Sequence, residues 1–281
     1  MPEWPDLSVV RRRLESALGG RRILRAAELR PLVLRLPVAG PLHRLVAGRV
    51  LAGVDLRGKF LGLTLDDGAQ LVANPMLTGV FSLAPRRDAS IRLELEGDLT
   101  LDYADAKRMG KVYYVPPGVS RDAAVPGYAG QGPNADLAGM DAPEFARRGR
   151  SRRCEVRNLL LDHAFVAGIG NAYADEILWA AHLHPKRPVR DLGPAEWEGL
   201  HAAVRDVLAE AEHLVEAELP PELGTKVRSH MRIRGRAGQP CPRCGARIVR
   251  RHLGYLETDF CPRCQPDPSD LFPVPEPGRG W

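Results

Sequence analysis

Leu7, Val10, Leu14 and Leu18 recur at three- and four-residue intervals, the spacing of one helical face. The pattern predicts a leading helix that Gly19-Gly20 stops, with Asp6 placed to cap it. The period then shortens to two. Residues 49–55 and 60–65 alternate as strands do, Asp67-Gly68 signals a hairpin turn, and 70–74 continues the pattern. Ile91, Leu93 and Leu95 are expected to pair with Leu99, Leu101 and Tyr103 across Gly97-Asp98. Residues 1–118 therefore read as a β-rich domain with one leading helix. The Pro- and Gly-rich segment 119–135 reads as a linker.

Helical periodicity dominates the next stretch, 136–232. Pro143 suits a helix first turn, 156–164 is a second helix, and a third runs from the Gly168-Ile169-Gly170-Asn171 loop to about His184-Pro185. A long helix is expected from Pro194 to Ala217, ended by Pro220-Pro221. Cys154 reads as a small buried residue on a helix. Residues 233–266 hold paired cysteines, and 267–281, with four prolines and no periodicity, reads as a disordered tail.

Composition narrows the class. Net charge is +5 over 281 residues, which favours polyanionic partners. No run of 18 apolar residues is present to span a membrane, and Arg11-Arg12-Arg13 stands where a signal peptide would be apolar. A cytoplasmic protein is expected. In that reducing setting, Cys241-Pro-Arg-Cys244 and Cys261-Pro-Arg-Cys264, sixteen residues apart, fit a four-cysteine zinc site better than disulfides or redox pairs. Four protein ligands close the shell, so one structural Zn2+ is expected. Arg243, Arg247, Arg250, Arg251 and Arg263 make this module basic, as phosphate contact needs or as an ordinary solvated surface has. Gly168 and Gly170 before Asn171 suit a helix N-terminus that receives phosphate; alone they read equally as a turn between helices.

These segments occur in one order: Met1-Pro2-Glu3-Trp4-Pro5-Asp6, Gly58-Lys59, the run 166–176, His184-Pro185, and the closing cysteine pairs. The sequence resembles the formamidopyrimidine-DNA glycosylase and endonuclease VIII family over residues 2–265. The resemblance implies an α+β multidomain fold: a β-sandwich with a leading helix, a helix–two-turn–helix domain and a zinc-finger β-hairpin. It also implies a base-excision-repair glycosylase with lyase activity on double-stranded DNA carrying damaged bases or abasic sites, working as a monomer.

In that setting Pro2, freed of Met1, is the Schiff-base nucleophile. Glu3 is the proton donor and acceptor, and Lys59 binds phosphate or protonates a leaving group. Outside that setting Pro2 is a terminal residue, Glu3 a helix-dipole partner and Lys59 a strand-edge charge. Leu77 is the candidate wedge filling the gap left by a flipped base, with core packing as its plainer role. Arg108 would hold phosphate and Met109 wedge against the orphan base; the plainer alternative is a surface charge cluster. Gly168, Gly170 and Asn171 would bind DNA phosphate.

The chain departs from the family pattern in three places. Asp6 stands where a second glutamate is usual. Leu256 stands where relatives carry a phosphate-gripping arginine, a role Arg250 or Arg251 would have to take. The stretch 224–234 is short for a loop that covers 8-oxoguanine, so that base opposite cytosine is not expected to be the best substrate. Asp6 and Leu256 also leave room for an alternative: a family-shaped protein that binds distorted DNA without efficient chemistry.

Overall fold

The computed structural model describes residues 2–37, 40–253 and 256–267, without the side chains at 253 and 256. The expected tail therefore lies outside the described residues from 268 onward. The chain divides into two compact units, one running to Asn134 and including Glu210–Arg228, the other comprising Ala135–Ala209 and the residues from Ser229 on.

The first unit opens with α1 (Trp4–Leu18), which buries Leu7, Val10, Leu14 and Leu18 on the face their spacing predicted. Asp6 is not the cap, as expected, but the third residue of the helix, because the helix begins at Trp4 and Glu3 takes the N-cap position. The Asp6 carboxylate accepts the Glu3 N–H at 2.8 Å, while the Glu3 side chain faces the Asp6 N–H in the reciprocal half of a capping box.

Strands β1 (Ile23–Glu28) and β2 (Leu34–Arg35), helix α2 (Leu42–Val46), and strands β3 (Leu51–Arg57), β4 (Phe60–Leu65), β5 (Gln70–Asn74), β6 (Gly79–Ser82), β7 (Ala89–Leu95), β8 (Leu99–Asp105) and β9 (Lys111–Val115) follow. They form sheets of order β1-β7-β8-β6 and β2-β9-β5-β4-β3. The β7–β8 hairpin pairs Ile91 with Tyr103, Leu93 with Leu101 and Leu95 with Leu99, the expected register. Gly97 and Asp98 both take positive φ, 82° and 55°, as a tight primed turn requires. Leu61, Leu63 and Leu71 of one sheet share a core with Ile91, Leu93 and Leu101 of the other, so the unit is a β-sandwich.

The segment 119–135, expected as a linker, carries α3 (Arg121–Ala124) and is packed. Val125 and Tyr128 join a core with Phe60, Val72 and Val115. The Arg121 guanidinium is gripped by Asp55 and held by Tyr128 Oη at 3.0 Å. Pro and Gly content signalled turns there, but not the apolar residues between them. Residues 210–218, the end of the long helix given below, also belong to this unit. Glu212 there accepts from Trp4 Nε1 at 2.7 Å, Ser8 Oγ at 2.9 Å and Arg12 Nη1 at 2.7 Å, which pins α1.

The second unit contains α4 (Ala142–Arg150), α5 (Val156–Leu161), α6 (Asn171–Ala180) and α7 (Pro194–Glu218) up to Ala209. Pro143 lies in the first turn of α4, whose N-cap Asp141 accepts the Glu144 N–H at 2.9 Å. α6 ends at Ala180, short of the expected His184-Pro185, because the chain turns at His182, where φ is 59°. Cys154 is neither on a helix nor buried, contrary to expectation: it lies two residues before α5, half-buried. A hairpin of β10 (Val249–Leu253) and β11 (Leu256–Phe260) completes the unit.

Candidate active site

Pro2 and Glu3 are both buried at the head of α1. Pro2 lines a small open cleft with Asp6, Gly79, Phe81, Thr225 and Lys226. The segment 224–228, for which the sequence pattern offered no role beyond its length, supplies two cations. Arg228 grips Asp6 through both carboxylate oxygens, at 2.6 and 2.7 Å. Lys226 donates to the Leu77 carbonyl at 2.6 Å. Half-burial, helped by the charge of Arg228, pushes the Lys226 ammonium below the usual lysine range, while the charges of Asp6, Glu3 and Asp105 act to raise it.

Leu77 is not core: it is 45 % exposed, and Met109 is 40 % exposed. Both sit at loop tips, Leu77 between β5 and β6, Met109 and the exposed Arg108 between β8 and β9. Buried Asp105 ties the two loops together. It accepts from Thr78 Oγ1, from the Lys107 N–H at 3.2 Å and from the Gly110 N–H at 2.6 Å. Nothing in the periodicity marked Asp105, since its role depends on Thr78, 27 positions away.

Gly110 is required by this arrangement. A Cβ there would lie 1.9 Å from Tyr103 Oη and 3.0 Å from Asp105 Oδ2. Gly110→Ala is expected to destabilise the chain by about 3 kcal/mol through overpacking. A urea melt checks it, and a change below about 0.5 kcal/mol would show that the loop relaxes freely.

Lys59 occupies the turn between β3 and β4, where the Gly58 N–H donates to Asn134 Oδ1 at 2.8 Å. Half-burial lowers its pKa from the ordinary lysine value. It is absent from the described residues lining the Pro2 cavity.

In the second unit Gly168 takes a φ of 110° and Gly170 is the N-cap of α6, so the loop delivers Asn171 to the helix N-terminus. Arg157, missed by sequence reasoning, holds this loop. Its fully buried guanidinium donates to Asn171 Oδ1 at 3.1 Å and to the Glu257 carbonyl at 3.1 Å, and lies 3.5 Å from Asp175. Its Nη1 has no partner among the described residues. Asp175 and Glu176 clasp the following segments. Asp175 accepts from Thr258 Oγ1 at 2.6 Å and Arg234 Nη1 at 2.9 Å; Glu176 accepts the N–H groups of Ile233 and Arg234, each at 2.8 Å. Burial raises both carboxyl pKa values, and these donors oppose the rise.

The sulfurs of Cys241, Cys244, Cys261 and Cys264 all lie within 4.8 Å of one another. The pairs Cys241–Cys264 and Cys244–Cys261 are 3.9 and 3.5 Å apart. Sulfurs about 2.3 Å from one tetrahedral ion are spaced by roughly 3.8 Å, whereas a disulfide needs about 2.05 Å. The donor set thus fits one zinc ion and no disulfide. Arg250 is committed to Asp259, at 2.7 and 2.9 Å, and to Glu257 at 3.3 Å. Arg251 is exposed, and of the two arginines only it has a guanidinium without a carboxylate partner among the described residues.

Comparisons with known proteins agree with this geometry. Residues 1–112 match the formamidopyrimidine-DNA glycosylase N-terminal domain, 131–218 its H2TH domain, and 238–266 the zinc finger found in FPG and IleRS. The chain is 37 % identical over 272 residues to the formamidopyrimidine-DNA glycosylase of Thermus thermophilus, covering 94 % of this chain and 98 % of that one. It is 31 % identical over 284 residues to that of Pelotomaculum thermopropionicum, covering 94 % and 99 %. Among solved structures, MutM (Fpg) of Thermus thermophilus superposes with a TM-score of 0.82 at 34 % identity, over 94 % of this chain and 98 % of that one. Lactococcus lactis Fpg in complex with DNA containing an abasic site superposes with a TM-score of 0.83 at 27 % identity, over 94 % and 100 %. With all three domain types matched in order and relatives aligned almost end to end, the chain belongs to the formamidopyrimidine-DNA glycosylase family, the DNA glycosylases of base excision repair.

Proposed function

We propose that this chain excises damaged bases from duplex DNA and cleaves the resulting abasic site, with Pro2 as nucleophile. The observation that carries this reading is the buried Pro2 lining a small open cleft at the head of α1, with the buried Glu3 next to it in the chain. Once Met1 is removed, Pro2 has a secondary amine, and an α-amine has a pKa of about 8, so part of it is neutral near pH 7. Its lone pair attacks C1′, the base departs with the electrons of the glycosidic bond, and the N–H proton of the resulting ammonium passes to the departing base, which restores the lone pair on nitrogen. That lone pair then expels O4′, which takes a proton from Glu3, giving an iminium between Pro2 and C1′. The iminium acidifies C2′; loss of a C2′ proton expels the 3′ phosphate, and water releases the enzyme.

The remaining site residues take supporting roles. Leu77 and Met109 fill the space the flipped nucleotide leaves, and Arg108 holds a phosphate beside it. Lys59 contacts a further phosphate or protonates a leaving group. Gly168, Gly170 and Asn171, backed by Arg157, receive phosphate at the N-terminus of α6. Arg251 replaces the arginine missing at Leu256, because Arg250 is spent on Asp259 and Glu257. Asp6 acts on the site through its contacts with Glu3 and Arg228. The substrate is double-stranded DNA with ring-opened or oxidised bases or abasic sites. The working species is a monomer on nucleoid DNA in the cytoplasm.

Borohydride trapping tests the nucleophile. Chain with a free Pro2 amine, mixed with duplex containing one abasic site, is expected to give a covalent adduct as hydride reduces the iminium to a tertiary amine. Chain retaining a residue before Pro2 should bind the same duplex yet neither trap nor cut it, since an amide nitrogen has its lone pair delocalised. Failure of the free-amine form to trap overturns the mechanism and leaves a DNA-binding protein.

A further inference from the structure

Asp6 is one methylene shorter than the residue the family pattern led us to expect, and the structure shows what it touches. One carboxylate, buried beside Pro2, serves two donors. Asp6 Oδ2 accepts the Glu3 N–H at 2.8 Å and Arg228 Nη2 at 2.7 Å, and Oδ1 accepts Arg228 Nη1 at 2.6 Å. Arg228 Nη1 also donates to its neighbour's carbonyl, Val227 O, at 2.6 Å, so the guanidinium is fixed to its own loop. Arg228 lies 222 positions from Asp6 yet meets it in the bidentate geometry that arginine forms best with a carboxylate.

We infer that Arg228 is a positioning residue for the N-terminal nucleophile: it clamps Asp6, through Asp6 holds the Pro2–Glu3 backbone, and offsets the Asp6 charge that faces Pro2. The inference rests on Pro2 being the nucleophile. Its chemical content is electrostatic as well as geometric. An uncompensated carboxylate beside an amine favours the ammonium form, which cannot attack C1′. A guanidinium bonded to both oxygens of that carboxylate returns the amine toward its neutral form.

The charged groups around Pro2 come from few elements. Glu3 and Asp6 belong to α1, Lys226 and Arg228 to the segment 224–228, and Asp105 at the end of β8 acts on Lys226. The β6 residues Gly79, Val80 and Phe81 and the α7 residue Val215 present only uncharged surface to the cavity. Asp6 and Arg228 are thus a matched pair within this set, and removing one alone changes its net charge.

The experiment is the rate of borohydride trapping on abasic duplex, measured from pH 5 to 9 with the full chain carrying a free Pro2. Arg228→Met is expected to slow trapping at pH 7 and to move the acid limb of the profile upward by about 0.5–1 pH unit, the size a partly solvated neighbouring charge produces. Asp6→Asn should move the limb downward, because a negative charge beside the amine is removed while the Arg228 charge stays. The double variant Asp6→Asn, Arg228→Met should restore the wild-type limb at a lower maximal rate. Arg228→Lys should keep the limb in place, since the charge is conserved. A purely structural clamp would lower the plateau in every variant and leave the limb where it was, and that result overturns the charge role. If Arg228→Met does not fold, as its thermal melt would show, the opposite displacement in Asp6→Asn decides the matter alone. Absence of trapping by wild-type chain overturns the Pro2 mechanism and this role with it. Trapping by wild type with unmoved limbs in the variants overturns only the role of Arg228.

Discussion

Glu3→Gln is expected to lower the rate of base excision from damaged duplex by about 10²–10⁴, the range one positioned general acid–base group contributes. The substitution keeps the side-chain length and an acceptor oxygen, so the capping box at the head of α1 survives. It removes the acid that protonates O4′ as the sugar ring opens. Excision needs that proton, because O4′ leaves C1′ poorly as an alkoxide. A preformed abasic site is mostly a cyclic hemiacetal, but it exchanges with its open aldehyde without a base having to depart, so condensation with Pro2 there needs less help from Glu3. Single-turnover excision should therefore collapse while borohydride trapping on abasic duplex persists within about tenfold, a gap of at least 1.4 kcal/mol in barrier between the two assays. Equal loss in both would place Glu3 in structural support of Pro2 and not in proton transfer. Retained excision would remove it from the chemistry.

The contrast between Glu3 and Arg228 shows what the sequence made legible. Local regularities were readable. The β7–β8 register followed from apolar alternation and a Gly97-Asp98 turn, because strand side chains repeat every two residues and one face must be buried. The long helix α7 followed from its period and from the prolines around it. The cysteine pairs were readable because two ligands three positions apart can reach one ion. What escaped has a common physical origin: its partners are remote in sequence. Asp105 meets Thr78, Arg157 meets Glu257, and Asp6 meets Arg228 through contacts that no periodicity encodes. A buried charge must find a counter-charge or donors, yet composition does not say which. Asp6 was placed as the cap three residues beyond the true one, Glu3, because the apolar spacing does not mark where the first turn begins, and 119–135 was read as a linker. There, Val125 and Tyr128 carry too short an apolar pattern to announce that they pack on Phe60.

Removing zinc is expected to cost the chain both its zinc module and its hold on DNA. The module's apolar centre is small: Trp179, Ile233, Cys241, Ile248 and Cys261, with Cys244, Ala246 and Cys264 packed against it. Four of those eight residues are the metal ligands themselves, so without the ion their sulfurs lose the bond that holds them together. Structural zinc supplies about 10–16 kcal/mol of apparent folding free energy in isolated zinc-finger peptides, far more than so few apolar contacts can replace. The loss should not stop at the ligands. Arg243 stacks 4.0 Å from the Trp179 ring centroid and donates to the Trp179 carbonyl at 2.8 Å, which joins the first cysteine pair to the end of α6. In the middle of α6, Asp175 and Glu176 bind Thr258 and the 232–234 backbone. Collapse of the hairpin would thus strip buried Asp175 of its Thr258 and Asp259 donors, and burial with fewer donors favours its neutral form. Cys261→Ser, or wild type treated with a strong chelator, should bind less than one zinc per chain, where untreated wild type binds one by elemental analysis. Affinity for abasic duplex should fall at least a hundredfold, about 2.7 kcal/mol. Near-ultraviolet circular dichroism should lose the Trp179 signal contribution in the same titration. Full duplex affinity in metal-free chain would show that the cysteines hold the module by packing alone.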